Sequence, residues 1–293
     1  MKPTKLIALD IDGTLINSEH EITPVTRQAI KDAQKAGAEI ILSTGRVYNA
    51  LPHDLLAGLD IRYAITTNGA AVYRLTDRTC LSENCLELDI FLPVLEKLQT
   101  CDILIHLYID GECYYTASKH SVIDKMDVSD KRKEYLHNTG ICVDNLIEFA
   151  SKTNRPVQKV TLCFYPLPDG TYKHHDELET FLQSNPALST VCGGDTSLEI
   201  TRAGVSKGLG LRFLAEYLHV PLEQTIACGD SENDLDIIQT AAIGVAMGNA
   251  FPLLNDAAVF ITLSNDEDGV AHMLEKFVLH QSSSIIIHYS KNR

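Results

Sequence analysis

The chain has 293 residues, of which 45% are hydrophobic and 22% charged, and its net charge is −14. That length fits two domains or one domain with a large insertion, and the composition excludes wholesale disorder. The negative balance argues against nucleic-acid and anionic-membrane partners, which need a basic face, but leaves small anionic substrates open, because a few local cations or a metal can reverse the field in one cleft.

In chain order, Lys5–Leu9 reads as a short buried strand that stops at an acidic pair. Thr23-Pro24 reads as an N-cap with proline at the first helical position; Val25, Ala29, Ile30 and Ala33 follow at helical spacing, and Gly37 ends the helix. Glu39–Leu42 predicts a second strand, Val47–Leu56 a second helix and Tyr63–Thr66 a third strand. The rhythm is that of a parallel sheet covered on both faces. It returns late, with helices at Ser206–Leu218 and Leu235–Thr240 and strands at Thr225–Cys228, Ile243–Met247 and Val259–Ile261. The middle differs. Ile103–Ile109 and Cys113–Tyr115 read as antiparallel strands around Gly111, Val157–Tyr165 is another β-prone run, and helical stretches flank them at Leu88–Leu98 and Asp176–Leu182.

The expected architecture is therefore an α/β, Rossmann-like parallel core with an inserted α+β cap. The core is read as 1–84 with 196–279, the cap as 85–195, and 280–293 as an appendix, disordered or foreign to the fold. No apolar stretch approaches the roughly 18 to 20 residues of a membrane span. The start of the chain has neither the apolar core nor the cleavage site of a signal peptide. Eight dispersed cysteines without a Cys-x-x-Cys pair then read as reduced thiols, and the cytoplasm is the expected compartment. The histidines, His174-His175 included, are scattered and point to no metal site.

Four short motifs sit at strand ends. In Asp10-Ile11-Asp12-Gly13-Thr14 the strand period places Asp10 and Asp12 on one side, at the edge where open α/β sheets bind ligands; two solvated loop aspartates are the bland alternative. Ser43-Thr44-Gly45-Arg46 offers a hydroxyl and free N–H groups, either as a phosphate cradle or as a plain N-cap. Lys207, in Ser206-Lys207-Gly208, stands at the positive end of a helix dipole, so it is either simply exposed or held there for another task. Gly229-Asp230-Ser231-Glu232-Asn233-Asp234 supplies hard oxygen ligands of the kind Mg²⁺ prefers, or else is a loop rich in capping residues.

Taken together, Asp10-Ile11-Asp12-Gly13-Thr14, Thr44-Gly45-Arg46, Lys207 and Gly229-Asp230-x-x-Asn233-Asp234 resemble the four ordered motifs of the haloacid dehalogenase superfamily. Thr67-Asn68-Gly69-Ala70, Gly244–Ala250 and Ser264–Ala271 narrow the resemblance to its Cof-type, YidA-like sugar phosphatases, over roughly residues 4 to 279. Where the family often carries methionine, this chain has Ile237. The resemblance implies a Mg²⁺-dependent phosphatase of small phosphorylated metabolites. Asp10 would be the nucleophile and Asp12 the general acid and base. Mg²⁺ would be held by Asp10, the Asp12 carbonyl and Asp230, with Asp234 ordering that shell. Thr44, Gly45, Lys207 and Asn233 would hold the phosphoryl group, with Arg46 and Asn68 as outer contacts. A phosphomutase of the same superfamily and a phospho-accepting signalling receiver are the competing readings; receivers are about half this length and lack the Asp-x-Asp pair.

Overall fold

The computed structural model describes residues 5–192 and 196–279; the appendix 280–293 lies outside the described residues. Among the described residues, fourteen strands form two sheets. They are β1 (Leu6–Leu9), β2 (Glu39–Ser43), β3 (Tyr63–Thr66), β4 (Ala71–Arg74), β5 (Thr79–Glu83), β6 (Leu104–Ile109), β7 (Glu112–Thr116), β8 (Ile141–Val143), β9 (Lys159–Cys163), β10 (Leu188–Cys192), β11 (Ser197–Arg202), β12 (Thr225–Gly229), β13 (Ile243–Ala246) and β14 (Phe260–Ile261).

The first sheet runs β14-β13-β12-β1-β2-β3-β4-β5 and is parallel from β14 to β3. Both faces of β1 are buried. Ile7 and Leu9 join Ile40 and Leu42 under the helix Pro24–Lys35, while Leu6 and Ala8 join Ile41 and Ile65 under the helix Lys207–Tyr217. This two-sided burial makes the strand read as a continuous apolar run rather than an alternation. The register brings Leu9 opposite both Cys228 and Leu42, so the loops after β1, β2 and β12 leave the sheet at one level.

Two features of the core differ from the sequence reading. Residues 47–56 do not form one helix: a 3₁₀ turn, Tyr48–Ala50, and a short helix, His53–Leu56, are separated by extended Leu51. Leu51 precedes Pro52, whose ring disfavours helical backbone in the residue before it. The sheet also gains an antiparallel edge, β4 and β5, which the strand–helix–strand rhythm does not announce because a hairpin needs no crossover helix.

The second sheet runs β10-β11-β9-β6-β7-β8 and is antiparallel except for the β7–β8 pair. It takes in β11, so the chain leaves this sheet at Arg202. Helices Leu88–Gln99, Leu146–Thr153 and His175–Gln183 cover one face, burying Phe91, Leu95, Leu98, Ala150, Leu178 and Leu182 against Ile105, Leu107, Val160, Leu162, Leu198 and Ile200. The opposite face looks onto the motif loops of the first sheet. Gln158, fully buried, pins the two sheets together: its Nε2 donates to Tyr73 Oη and Glu83 Oε1, both at 2.9 Å, and its Oε1 accepts from the Gly111 N–H.

Candidate active site

Each motif residue is placed by its strand end. Asp10 follows β1, and its N–H donates to the Cys228 carbonyl at 3.0 Å, which extends the pairing of β1 with β12 by one residue. The turn after it depends on Gly13, at φ +76°, where a Cβ would lie 2.4 Å from Asp230 Oδ2. Only glycine combines that backbone with that approach. Thr14 then donates its hydroxyl to Asp230 Oδ1 at 2.8 Å. After β2, Thr44 Oγ1 accepts the Arg46 N–H, and Gly45 comes so close to Asn68 that a Cβ would meet its Oδ1 at 2.8 Å. Asn68 itself holds a left-handed backbone, φ 58°.

Lys207 is not an exposed lysine. It opens its helix beside the Ser206 cap and is 1% exposed, and its ammonium donates to Asp10 Oδ1 at 2.7 Å, Asp234 Oδ1 at 2.6 Å and Asn233 Oδ1 at 3.2 Å. Burial by itself would lower its pKa, but the carboxylates of Asp10 and Asp234 outweigh that and hold it above the ordinary lysine value. The unfavourable dipole position is overcome by two buried countercharges.

Carboxylates of Asp10, Asp230 and Asp234 gather with oxygens within 4.8 Å of one another. Burial raises Asp10 well above the carboxylate range; Lys207 opposes the rise, and Asp234 and Asp230 add to it. Asp230 is raised too, by burial first and then by Asp234, against its bond from Thr14. Three buried carboxylates face one lysine, a surplus of negative charge that a divalent cation would neutralise with hard oxygen ligands. The oxygens are not equivalent. Asp234 is saturated, with Oδ1 on Lys207 and Oδ2 accepting the Asp230 and Ser231 N–H groups. Asp10 Oδ2 has no hydrogen-bond donor among the described residues. Asp10 and Asp230 thus fit a metal directly, and Asp234 fits as the residue that orders their backbone and lysine.

Asp12 lies apart from this cluster. Its side chain is 56% exposed and is gripped by Arg46, with Nε to Oδ2 at 2.7 Å and Nη2 to Oδ1 at 2.6 Å. Asp10, Asp12, Thr44, Gly45, Arg46 and Asn233 all line one cavity of about 1100 Å³, whose far wall is the open face of the second sheet. Lys207, Asp230 and Asp234 sit buried beside Asp10. A polar chain crosses from core to cap: Lys207 to Asn233, Asn233 Nδ2 to Asn68 Oδ1 at 3.1 Å, Asn68 Nδ2 to Glu199 Oε2 at 2.6 Å, and Glu199 Oε1 to Lys159 Nζ at 2.7 Å. Lys159 also donates to the Gly45 carbonyl at 2.6 Å. Although largely taken out of water, Glu199 is held below the ordinary glutamate value by Lys159, with help from Asn68.

Lys159, Glu199 and His106, all lining the cavity, were not legible as site residues. The available signal was the polar residue at every second position of β6 and β9, His106, Tyr108, Lys159 and Thr161.

The comparisons with known proteins agree with this geometry. The sequence profile of the haloacid dehalogenase-like hydrolases matches residues 7–274. Phosphatase YwpJ of Bacillus subtilis (strain 168) is 28% identical over 290 residues, covering 92% of this chain and 99% of the relative. A haloacid dehalogenase-like hydrolase of known structure from B. subtilis superposes with a TM-score of 0.79 at 26% identity, over 94% of this chain and all (100%) of that one. The subclass IIB sugar phosphatase BT4131 superposes with a TM-score of 0.75 at 25% identity, over 94% and 99% of the two chains. A receiver module does not account for a match of this extent. The chain belongs to the haloacid dehalogenase-like hydrolases of the Cof type, a family of phosphoric monoester hydrolases.

Proposed function

We propose that this chain is a Mg²⁺-dependent cytoplasmic phosphatase that hydrolyses small phosphorylated metabolites, sugar phosphates among them, through an aspartyl-phosphate. The observation that carries the reading is Asp10, held by Lys207 through Oδ1 while Oδ2, at the cavity, has no donor among the described residues. Oδ2 attacks phosphorus, and the bond from phosphorus to the ester oxygen breaks. Asp12, protonated on the oxygen it turns away from Arg46 while the other stays held, gives that ester oxygen its proton. As carboxylate it then takes a proton from the water that attacks the phospho-aspartate, regenerating Asp10 and freeing phosphate. Thr44, the Gly45 N–H, Lys207 and Asn233 hold the phosphoryl oxygens as charge moves between them, with Arg46 and Asn68 supporting from outside. Asp10, Asp230 and the Asp12 carbonyl would hold Mg²⁺, which would supply the positive charge that lets one anion approach another.

Relatives named for different substrates support a broad class rather than one compound. YbhA of Escherichia coli is named a pyridoxal phosphate phosphatase, and YcsE of B. subtilis a 5-amino-6-(5-phospho-D-ribitylamino)uracil phosphatase. Phosphate release from a panel of phosphomonoesters, with Mg²⁺ and with excess chelator, tests the reading. Turnover that needs Mg²⁺ is expected; turnover that survives complete chelation, or none with any ester, overturns it.

A further inference from the structure

The cap wall of the cavity carries an arrangement that phosphoryl transfer does not use. His106 stands in β6 opposite Thr161 of β9, on the face that looks into the cavity. The residue is 2% exposed, and its Nε2 has no hydrogen-bond partner among the described residues. A buried polar nitrogen without a partner is destabilising unless something supplies one. Burial first, then Arg132, His120 and Lys159, lower its pKa to about 4, so the ring is neutral near the cations Arg132 and Lys159.

Beside it, the helix Asp130–Asn138 turns its first residues to the same cavity. Ser129 caps the helix, and Ser129, Lys131 and Arg132 all line the wall. Arg132 rests over the Tyr135 ring, 5.1 Å from its centroid. Among the described residues neither Lys131 nor Arg132 makes an ion pair, although Asp130 and Glu134 lie on the same helix. Of the other charges on the cavity, Asp10 is matched by Lys207, Lys159 by Glu199 and Asp12 by Arg46, while Glu232, beside Asn233 on the core side, has no ion pair among the described residues. Two uncompensated cations, a helix N-terminus and an unpartnered imidazole nitrogen thus share one wall of a chain whose net charge is −14.

We propose that this wall is a second anion subsite, and that the preferred substrate is a small phosphomonoester whose leaving group bears a carboxylate or a second phosphate, received by Arg132, Lys131 and His106. The inference rests on the phosphatase reading above and names its substrate class. A cavity of about 1100 Å³ accommodates a metabolite with an anionic group at each end.

The test compares kcat/KM for matched esters on the Mg²⁺-loaded full chain. 6-Phosphogluconate is set against glucitol 6-phosphate for a carboxylate, and fructose 1,6-bisphosphate against fructose 6-phosphate for a second phosphate. The anionic member of at least one pair should be preferred about ten- to hundredfold, the scale of a charge-assisted contact, and the pair that responds identifies the anion. Arg132→Ala, an exposed change, should cut that ratio at least about tenfold, with Arg132→Lys retaining more of it; His106→Phe should cut it as well. Equal kcat/KM within both pairs, or a ratio untouched by Arg132→Ala, overturns the subsite while leaving the phosphatase reading standing. Failure to turn over any ester, an aryl phosphate included, overturns both.

Discussion

Arg46 holds Asp12 by both carboxylate oxygens, at 2.6 and 2.7 Å, and is itself fixed by a bond from Nη1 to the Ala50 carbonyl at 3.0 Å. A planar fork of this kind orients a carboxylate as well as neutralising it. The pairing keeps Asp12 outside the buried carboxylate cluster and delivers it to the cavity from one direction. Arg46→Ala should therefore slow hydrolysis of alkyl phosphates about ten- to hundredfold, within the range assigned to general acid–base catalysis. Aryl phosphates, whose leaving groups need little protonation, should lose less. Equal losses for the two ester classes would show that Arg46 serves phosphate binding alone.

The two aspartates of the first motif should separate by role. Asp10→Asn removes the proposed nucleophile, so no covalent phosphate should form with any ester. Asp12→Asn keeps Asp10 but removes the proposed base of the second step, so phospho-enzyme should accumulate with an aryl phosphate. Intact-protein mass spectrometry after acid quench reads both, and an adduct on the Asp10 variant would contradict the assignment.

Lys207 joins the stability of the core to its chemistry. Lys207→Ala leaves Asp10 and Asp234 buried without their shared countercharge, and loss of one partner of a buried pair costs about 3–5 kcal/mol. The variant should unfold at lower urea than the wild type, and Mg²⁺ should recover more stability in the variant than in the wild type, since it relieves the same repulsion. A wild-type urea midpoint for the variant without metal would show that the ammonium is not the countercharge described.

Glu199 makes the cap–core link dependent on pH. Lys159 holds its carboxyl below the ordinary glutamate value of 4.5. A depressed carboxylate contributes stability that is fully present above the unfolded value and is lost as pH falls through the folded one. The stability difference between wild type and Glu199→Gln should therefore be largest near neutral pH and shrink below about pH 4.5. Denaturant titrations of both proteins at several pH values check it; a difference that grows on acidification has the wrong sign.

The parallel core and the four motif loops at its strand ends were legible because each is a local event. A run of apolar residues makes a strand buried on both faces, and the acidic, hydroxyl or glycine-rich residues at its end leave the sheet at a level set by the register, as Leu9 aligned with Cys228 and Leu42 shows. The break in segment 47–56, expected as one helix, was missed although its signal, Pro52, is local. The antiparallel edge β4–β5 and the polar face of the second sheet were not legible, since short strands carry little periodicity until their partners are known. Nor could spacing show that Arg46 turns to Asp12, that His106 is left without a partner, or that Glu199 reaches Asn68 across 131 positions of sequence. Chemistry carried by one loop is written in consecutive residues, whereas contacts between the two sheets depend on how separately folded surfaces pack, which no local pattern encodes.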